Sequence, residues 1–136
     1  MANSFAFSLV TPERTLISCQ ASQVTLRSGD GDITFMAGHA PFIGSVEPCV
    51  LTAVTSEGET LRAAVHGGFV HVAKSKVRVL AEVADLPDEI DVELVKASIA
   101  EMEEALMHSH DATIEATLRR AHVRLELANS RGLPIK

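Results

Sequence analysis

The chain has 136 residues and a formal net charge of −6, with 46% apolar and 22% charged residues. That balance fits one ordinary globular domain or two small ones and excludes a disordered chain. The acidic charge, five Phe and the absence of Trp and Tyr argue against nucleic-acid binding, which needs clustered bases and stacking rings. Cys19 and Cys49 are too few for a disulfide framework. No apolar run reaches the ~20 residues that cross a bilayer as a helix. The opening MANSFAFSLVTPER lacks the basic region and apolar stretch of a signal peptide. A soluble, intracellular globular protein is expected.

From the N-terminus to about residue 86 the apolar residues alternate. Phe5, Phe7 and Leu9 share one face, as do Val24 with Leu26 and Val77 with Val79. A period of two places them on one side of a strand. Further strands are predicted at Val50–Val54, Leu61–Val65 and Phe69–Val72. Turn residues interrupt these runs at Thr11-Pro12, Gly29-Asp30-Gly31-Asp32, Gly38-His39-Ala40-Pro41, Ser56-Glu57-Gly58-Glu59 and Lys74-Ser75-Lys76. Short strands at this spacing predict an all-β sandwich or barrel over 1–86.

After Leu86-Pro87 the period becomes helical. Val92, Val95, Ile99, Met102 and Leu106 form one apolar stripe, and Ile114, Leu118, Ala121, Leu125 and Ala128 form another. Asp88 and Asp111 are the expected N-caps, and Gly132 and Pro134 mark the end. Taken from opposite ends, the two stripes pair with a constant position sum, which predicts an antiparallel hairpin turning at His110. The first helical segment carries Asp88, Glu89, Asp91, Glu93, Glu101, Glu103 and Glu104 against Lys96. The second carries Arg119, Arg120, Arg124, Arg131 and Lys136 against Asp111, Glu115 and Glu126. The opposite charges favour this pairing, though each exposed ion pair contributes only ~0–1 kcal/mol. The expected organisation is therefore an N-terminal all-β sandwich (1–86) followed by a C-terminal antiparallel α-helical hairpin (87–136), able to pivot at Asp85-Leu86-Pro87.

Enzyme chemistry has no assembled motif. Gly29-Asp30-Gly31-Asp32 matches neither phosphate loop, and its acids would repel phosphate; it reads as a turn. His108 and His110 lie two apart at the hairpin tip, without further ligands at metal spacing. Cys19 and Cys49 have no C-x-x-C partner and read as small buried apolar residues. No G-x-S-x-G elbow exposes a serine. No catalytic, cofactor or metal site is assigned. A small-ligand or metal-binding sandwich using His39, His66 and His71 is the alternative reading.

Five stretches occur in a telling order: Leu9-Val10-Thr11-Pro12-Glu13-Arg14, Asp30-Gly31-Asp32-Ile33, Gly38-His39-Ala40-Pro41, Gly67-Gly68-Phe69-Val70 and Val79-Leu80-Ala81-Glu82. As a set they resemble the epsilon chains of bacterial and plastid F-type ATP synthases, along the whole chain. The resemblance implies a β-sandwich with a helical hairpin, and a non-catalytic subunit of the rotor stalk. It implies that the sandwich binds the gamma subunit and the membrane c-ring, helping to couple proton flow to ATP synthesis. Membrane association is then through the complex alone, at the cytoplasmic face of a bacterial inner membrane or on the stromal side of a thylakoid.

The resemblance also implies roles for particular residues. Asp30 and Asp32 face the c-ring. Val10, His39, Ala40, Pro41 and Phe42 contribute to the gamma-facing surface, while Gly68-Phe69 is expected to pack in the core. The hairpin of this family either lies on the sandwich or extends into the catalytic head of alpha and beta subunits, where Arg119, Arg120 and Arg124 would meet acidic groups and slow hydrolysis. Two positions depart from the family pattern. Pro48-Cys49 replaces a Pro-Gly turn, which predicts an altered turn there. Leu94 stands where ATP-binding members carry arginine, and leucine offers no cation to a phosphate. A hairpin that stays mostly folded and inhibits weakly is expected.

Overall fold

The computed structural model describes residues 4–29 and 31–129. Asp30 and the segment from Ser130 onward, with Arg131, Gly132, Pro134 and Lys136, lie outside the described residues. Among the described residues nine strands come first: β1 (Phe5–Val10), β2 (Thr15–Ser28), β3 (Gly31–Met36), β4 (Phe42–Ser45), β5 (Cys49–Thr55), β6 (Thr60–Val65), β7 (Gly68–Ala73), β8 (Lys76–Ala81) and β9 (Ala84–Asp85). A 3₁₀ turn (Pro87–Glu89) leads to α1 (Val92–His108) and α2 (Ala112–Asn129).

The strands run in the order β4-β7-β8-β1-β2-β5-β6-β9, with β3 also paired to β2. The 14-residue β2 is what makes two layers out of one hydrogen-bonded network. Its first half pairs with β1, from Thr15 to Ala21. Its second half pairs with β3 and β5, and the register slips between Ala21 and Gln23. Such a bulge bends the strand and lets one strand serve both layers. The alternation read from the sequence then points Phe5, Phe7, Leu9, Val70, Val72, Val77 and Val79 of one layer at Val24, Leu26, Phe35, Leu51, Ala53, Ala63 and Val65 of the other. These residues form one continuous buried cluster.

In β6 the alternation fails, since Ala63, Ala64 and Val65 are all buried. The outer face of this strand is covered by α2, whose Val123 and Leu127 pack with Ala64, Val50 and Ile90. The helix therefore has a second apolar stripe, offset from the one that faces α1. In the α1–α2 seam, Ile99 and Ala121 are buried, while Val95, Met102, Leu106, Leu118 and Leu125 remain half-exposed.

The cap of α1 differs from expectation. Asp91, not Asp88, accepts the Leu94 N–H (3.1 Å), because Asp88 is taken up in the 3₁₀ turn. Asp111 caps α2 as expected, accepting the Thr113 N–H at 2.8 Å. Cys49 does not need the altered turn. Ser75 is the non-glycine residue with positive φ among the described residues, so Cys49 opens β5 with an ordinary backbone. Its Sγ accepts the Arg27 N–H at 3.4 Å. Both cysteines are half-buried at the edge of the core, and burial pushes their thiols up.

The segment expected to pivot is tied at both ends. Asp85 lies in β9, paired opposite Ala64. Glu89 takes the Arg14 guanidinium in a two-pronged ion pair (2.6 and 2.8 Å) and also accepts the Leu86 N–H (2.9 Å). The hydrogen bonds from Arg14 and Leu86 hold the Glu89 carboxyl below the usual range.

Candidate functional site

Three surfaces carry the candidate residues. The first is the end of the β2–β3 hairpin. Asp32 is the second residue of β3, opposite Arg27, and is exposed; its Oδ1 takes the Arg27 Nε–H at 3.2 Å. The carboxylate thus faces solvent with one neighbouring cation, a partner not anticipated from the sequence. Cross-strand placement explains the pair, because residues directly opposite on two strands lie within side-chain reach.

The second surface is the outer face of β4, β7, β8 and β1. Register places Ser45, Phe69, Leu80 and Val10 in one row and Ile43, His71, Arg78 and Ser8 in the next. Phe69 is 62% exposed, Ile43 74% and Leu80 46%. Val10, Phe69 and Leu80 line a shallow apolar groove with Pro12 and Gly68. Phe69 is therefore not core packing. Its neighbours Val70 and Val72 are buried, so the period of two turns Phe69 and His71 outward. That alternation, present in the sequence, outweighs the general habit of phenylalanine to be buried. Gly68 shapes the groove: its φ is +126°, and a Cβ there would lie 2.1 Å from the Leu80 carbonyl oxygen. Only glycine permits so close a strand approach.

Of the residues assigned to gamma, Val10 lies in this groove and is half-buried. His39, Ala40 and Pro41 are exposed in the loop before β4. Pro41 and Ser45 are four residues apart, roughly 13 Å along the strand, so the loop and Val10 mark opposite ends of this face. Phe42 turns inward, its ring 5.6 Å from that of Phe35. The His39 Nδ1–H donates to the Ala40 carbonyl at 2.7 Å, and its ring meets Phe35 edge-on at 4.9 Å. His39 is thus both exposed and tied to its own loop.

The third surface joins the hairpin to the sandwich. The Arg124 Nε–H donates to Asp85 Oδ2 at 2.7 Å, and the same oxygen takes the Nε2–H of buried His66 at 3.1 Å. His66 Nδ1 is buried without a hydrogen-bond partner. Burial pushes the Asp85 carboxyl up, but the His66 and Arg124 hydrogen bonds outweigh it and hold the group below its ordinary value. Arg120 approaches Glu82 at 4.0 Å. The opposite charges of the two helical segments point to partners for Arg120 and Arg124 on the first helix; both pair with the sandwich instead, because α2 packs on β6 as well as on α1. Arg119 borders a separate cleft with Arg27, Asp32 and Glu126.

A cleft between the linker, α1 and α2 is lined by Asp85, Glu89, Asp91, Leu94, Ser98, Thr117 and Arg124, among others. Leu94 is 65% exposed. Three carboxylates against one arginine make this a poor anion site. The described residues contain no group of three or more His, Cys, Asp or Glu arranged for a metal. Of the histidines in the alternative reading, His66 is buried on Asp85, while His39 and His71 are exposed elsewhere. No described helix is long and apolar enough to cross a membrane.

Residues 4–87 match the family model of the ATP synthase delta/epsilon chain β-sandwich domain. The ATP synthase epsilon chain of Streptomyces avermitilis is 43% identical over 131 residues, covering 96% of this chain and 100% of its own. That of Rhodococcus jostii is 47% identical over 94 residues, covering 68% and 77%. Among solved structures, a chain of the Euglena gracilis mitochondrial ATP synthase (OSCP/F1/c-ring) superposes with a TM-score of 0.76 at 22% identity, covering 93% of this chain and 80% of that one. The two-layer sandwich with its helical hairpin, matched along almost its whole length, makes this chain a member of the ATP synthase epsilon chain family.

Proposed function

We propose that this epsilon chain, a non-catalytic subunit of the ATP synthase central stalk, uses the outer face of β4, β7, β8 and β1 to bind the gamma subunit. The β2–β3 end then meets the c-ring, so that the sandwich carries torque between the two. The observation that carries this reading is the outward apolar row Val10–Leu80–Phe69, extended by Ile43. An apolar strip of this kind, bordered by His71 and Arg78, fits a protein partner better than water. The chain belongs to a membrane-associated complex, and on this reading it sits at the cytoplasmic face of a bacterial inner membrane.

Asp32 is the candidate contact to the c-ring, together with Asp30. The Arg27 pair leaves most of the Asp32 carboxylate open to solvent, and a basic or amide-rich loop would complement it. The docked hairpin supports a regulatory role in which Arg119, Arg120 and Arg124 reach the alpha and beta subunits only after release, so that hydrolysis is inhibited weakly. Co-elution of the purified chain with gamma tests the main assignment. Leu80→Glu should abolish the complex while leaving the sandwich folded; an unchanged complex would refute the assignment. Asp32→Arg should uncouple ATP-driven proton pumping, and removal of Asp88–Lys136 should change hydrolysis little.

A further inference from the structure

We infer that Asp85 is the latch that keeps the helical hairpin on the sandwich, holding it through Arg124. Three observations converge on this residue. Asp85 belongs to the sandwich, as the last residue of β9, and stands directly opposite Ala64 of β6. Ala64 is the surface on which Val123 and Leu127 of α2 rest. Arg124 follows Val123 in α2, so the polar contact and the apolar contact occupy one spot.

The chemistry of that spot is selective. Asp85 is only partly exposed, and its Oδ2 accepts from Arg124 at 2.7 Å and from His66 at 3.1 Å. His66 is fully buried and belongs to the sandwich. It fixes the carboxylate in place before α2 arrives, so Arg124 meets a preset acceptor. A charge-assisted hydrogen bond in a half-buried site is far stronger than an exposed ion pair. Arg120 and Glu82, at 4.0 Å and more exposed, add little. When α2 leaves, Asp85 keeps only His66, whereas Arg124 returns to water.

Docking therefore uses up the cation that the proposed head contact requires. The latch itself concerns this chain alone, while the competition with the head rests on the regulatory reading above. The two are separable by experiment. Val123→Cys places a thiol under the docked helix, and its maleimide labelling, read peptide by peptide alongside Cys19 and Cys49, reports how often α2 lifts. In the full chain, Asp85→Asn and Arg124→Gln should each speed labelling of that thiol about ten- to hundredfold. Labelling of Cys19, which lies away from α2 beside Ser8 and Arg78, and the melting of the sandwich should stay as they were. The double variant should be no faster than the faster single one, because both remove the same bond. Arg119→Gln serves as the control and should leave the rate unchanged.

Unchanged labelling in Asp85→Asn and Arg124→Gln, fully additive effects, or an equal rise in Arg119→Gln would overturn the latch. In the assembled complex, Asp85→Asn should also strengthen inhibition of ATP hydrolysis. Faster labelling without stronger inhibition would uphold the latch and refute the head contact.

Discussion

The sandwich and the hairpin bury their apolar residues in different ways. The sandwich closes on itself: Phe7, Leu9, Phe35, Leu51 and Val79 are removed from water by residues of the two facing layers. The hairpin has no such interior. Ile99 and Ala121 are its buried seam, and Val123 and Leu127 are buried only because a strand of the other domain lies beneath them. Two helices cannot enclose a core between them, so part of their apolar surface must find another partner. The lesson is that the hairpin's stability is borrowed at a small contact, which suits the release that the proposed regulation requires. The sandwich is built to remain one body.

Changes in each region should therefore read out differently. Phe35→Ala, in the middle of the sandwich core, should cost about 3–5 kcal/mol and lower the midpoint of chemical denaturation for the whole chain. Leu127→Ala should cost about 2–3 kcal/mol at the docking contact. Hydrogen exchange should then show faster opening of the hairpin while protection of β1 and β8 is unchanged. A global loss of protection would mean that the two regions are not separate in the way described.

The pH dependence sharpens the same division. The Asp85 carboxyl is held below its ordinary value near 3.8, so the folded state favours the charged form. Its contribution to docking is present above that value and is lost as pH falls through the lower folded value. Hairpin opening should rise in the acid range below about pH 4, and Asp85→Asn should flatten the rise. The smallest effect is expected at the far end of the sandwich. Asp32→Asn removes an exposed pair with Arg27 and should change stability by less than ~0.5 kcal/mol, so any defect in proton coupling would come from lost contact rather than lost fold.

Much of this architecture was legible in the residues. Alternation in β1, β7 and β8 and the two helical stripes announced the sandwich and the hairpin, because both periods follow from local geometry. The relation between the two was not legible. Val123 and Leu127 looked like ordinary helix positions beside a stronger stripe, and Ala64 gave no sign that its outward face would be covered. Only tertiary packing assigns a partner to a second stripe. The same holds for Arg124, whose charge pointed to Glu101, Glu103 or Glu104 until the strand carrying Asp85 was placed beneath α2. Phe69 is the opposite case: the pattern that turns it outward is present in the sequence, and strand geometry prevails over the burial preference of a single residue type.

The ion pair between Arg14 and Glu89 has a mechanical consequence. By tying the 3₁₀ turn to the loop between β1 and β2, it sets the fulcrum of the hairpin after Glu89, at Ile90 and Asp91. Beyond that point α1 runs for 17 residues, a rigid arm of about 25 Å. A swing of roughly 10° at the fulcrum carries the far tip, near His108, through about 4 Å at that arm length. Few backbone angles need to change for a large displacement, and the strands need not move at all. On the proposed function, the sandwich then stays seated on its partners while the tip of the hairpin travels.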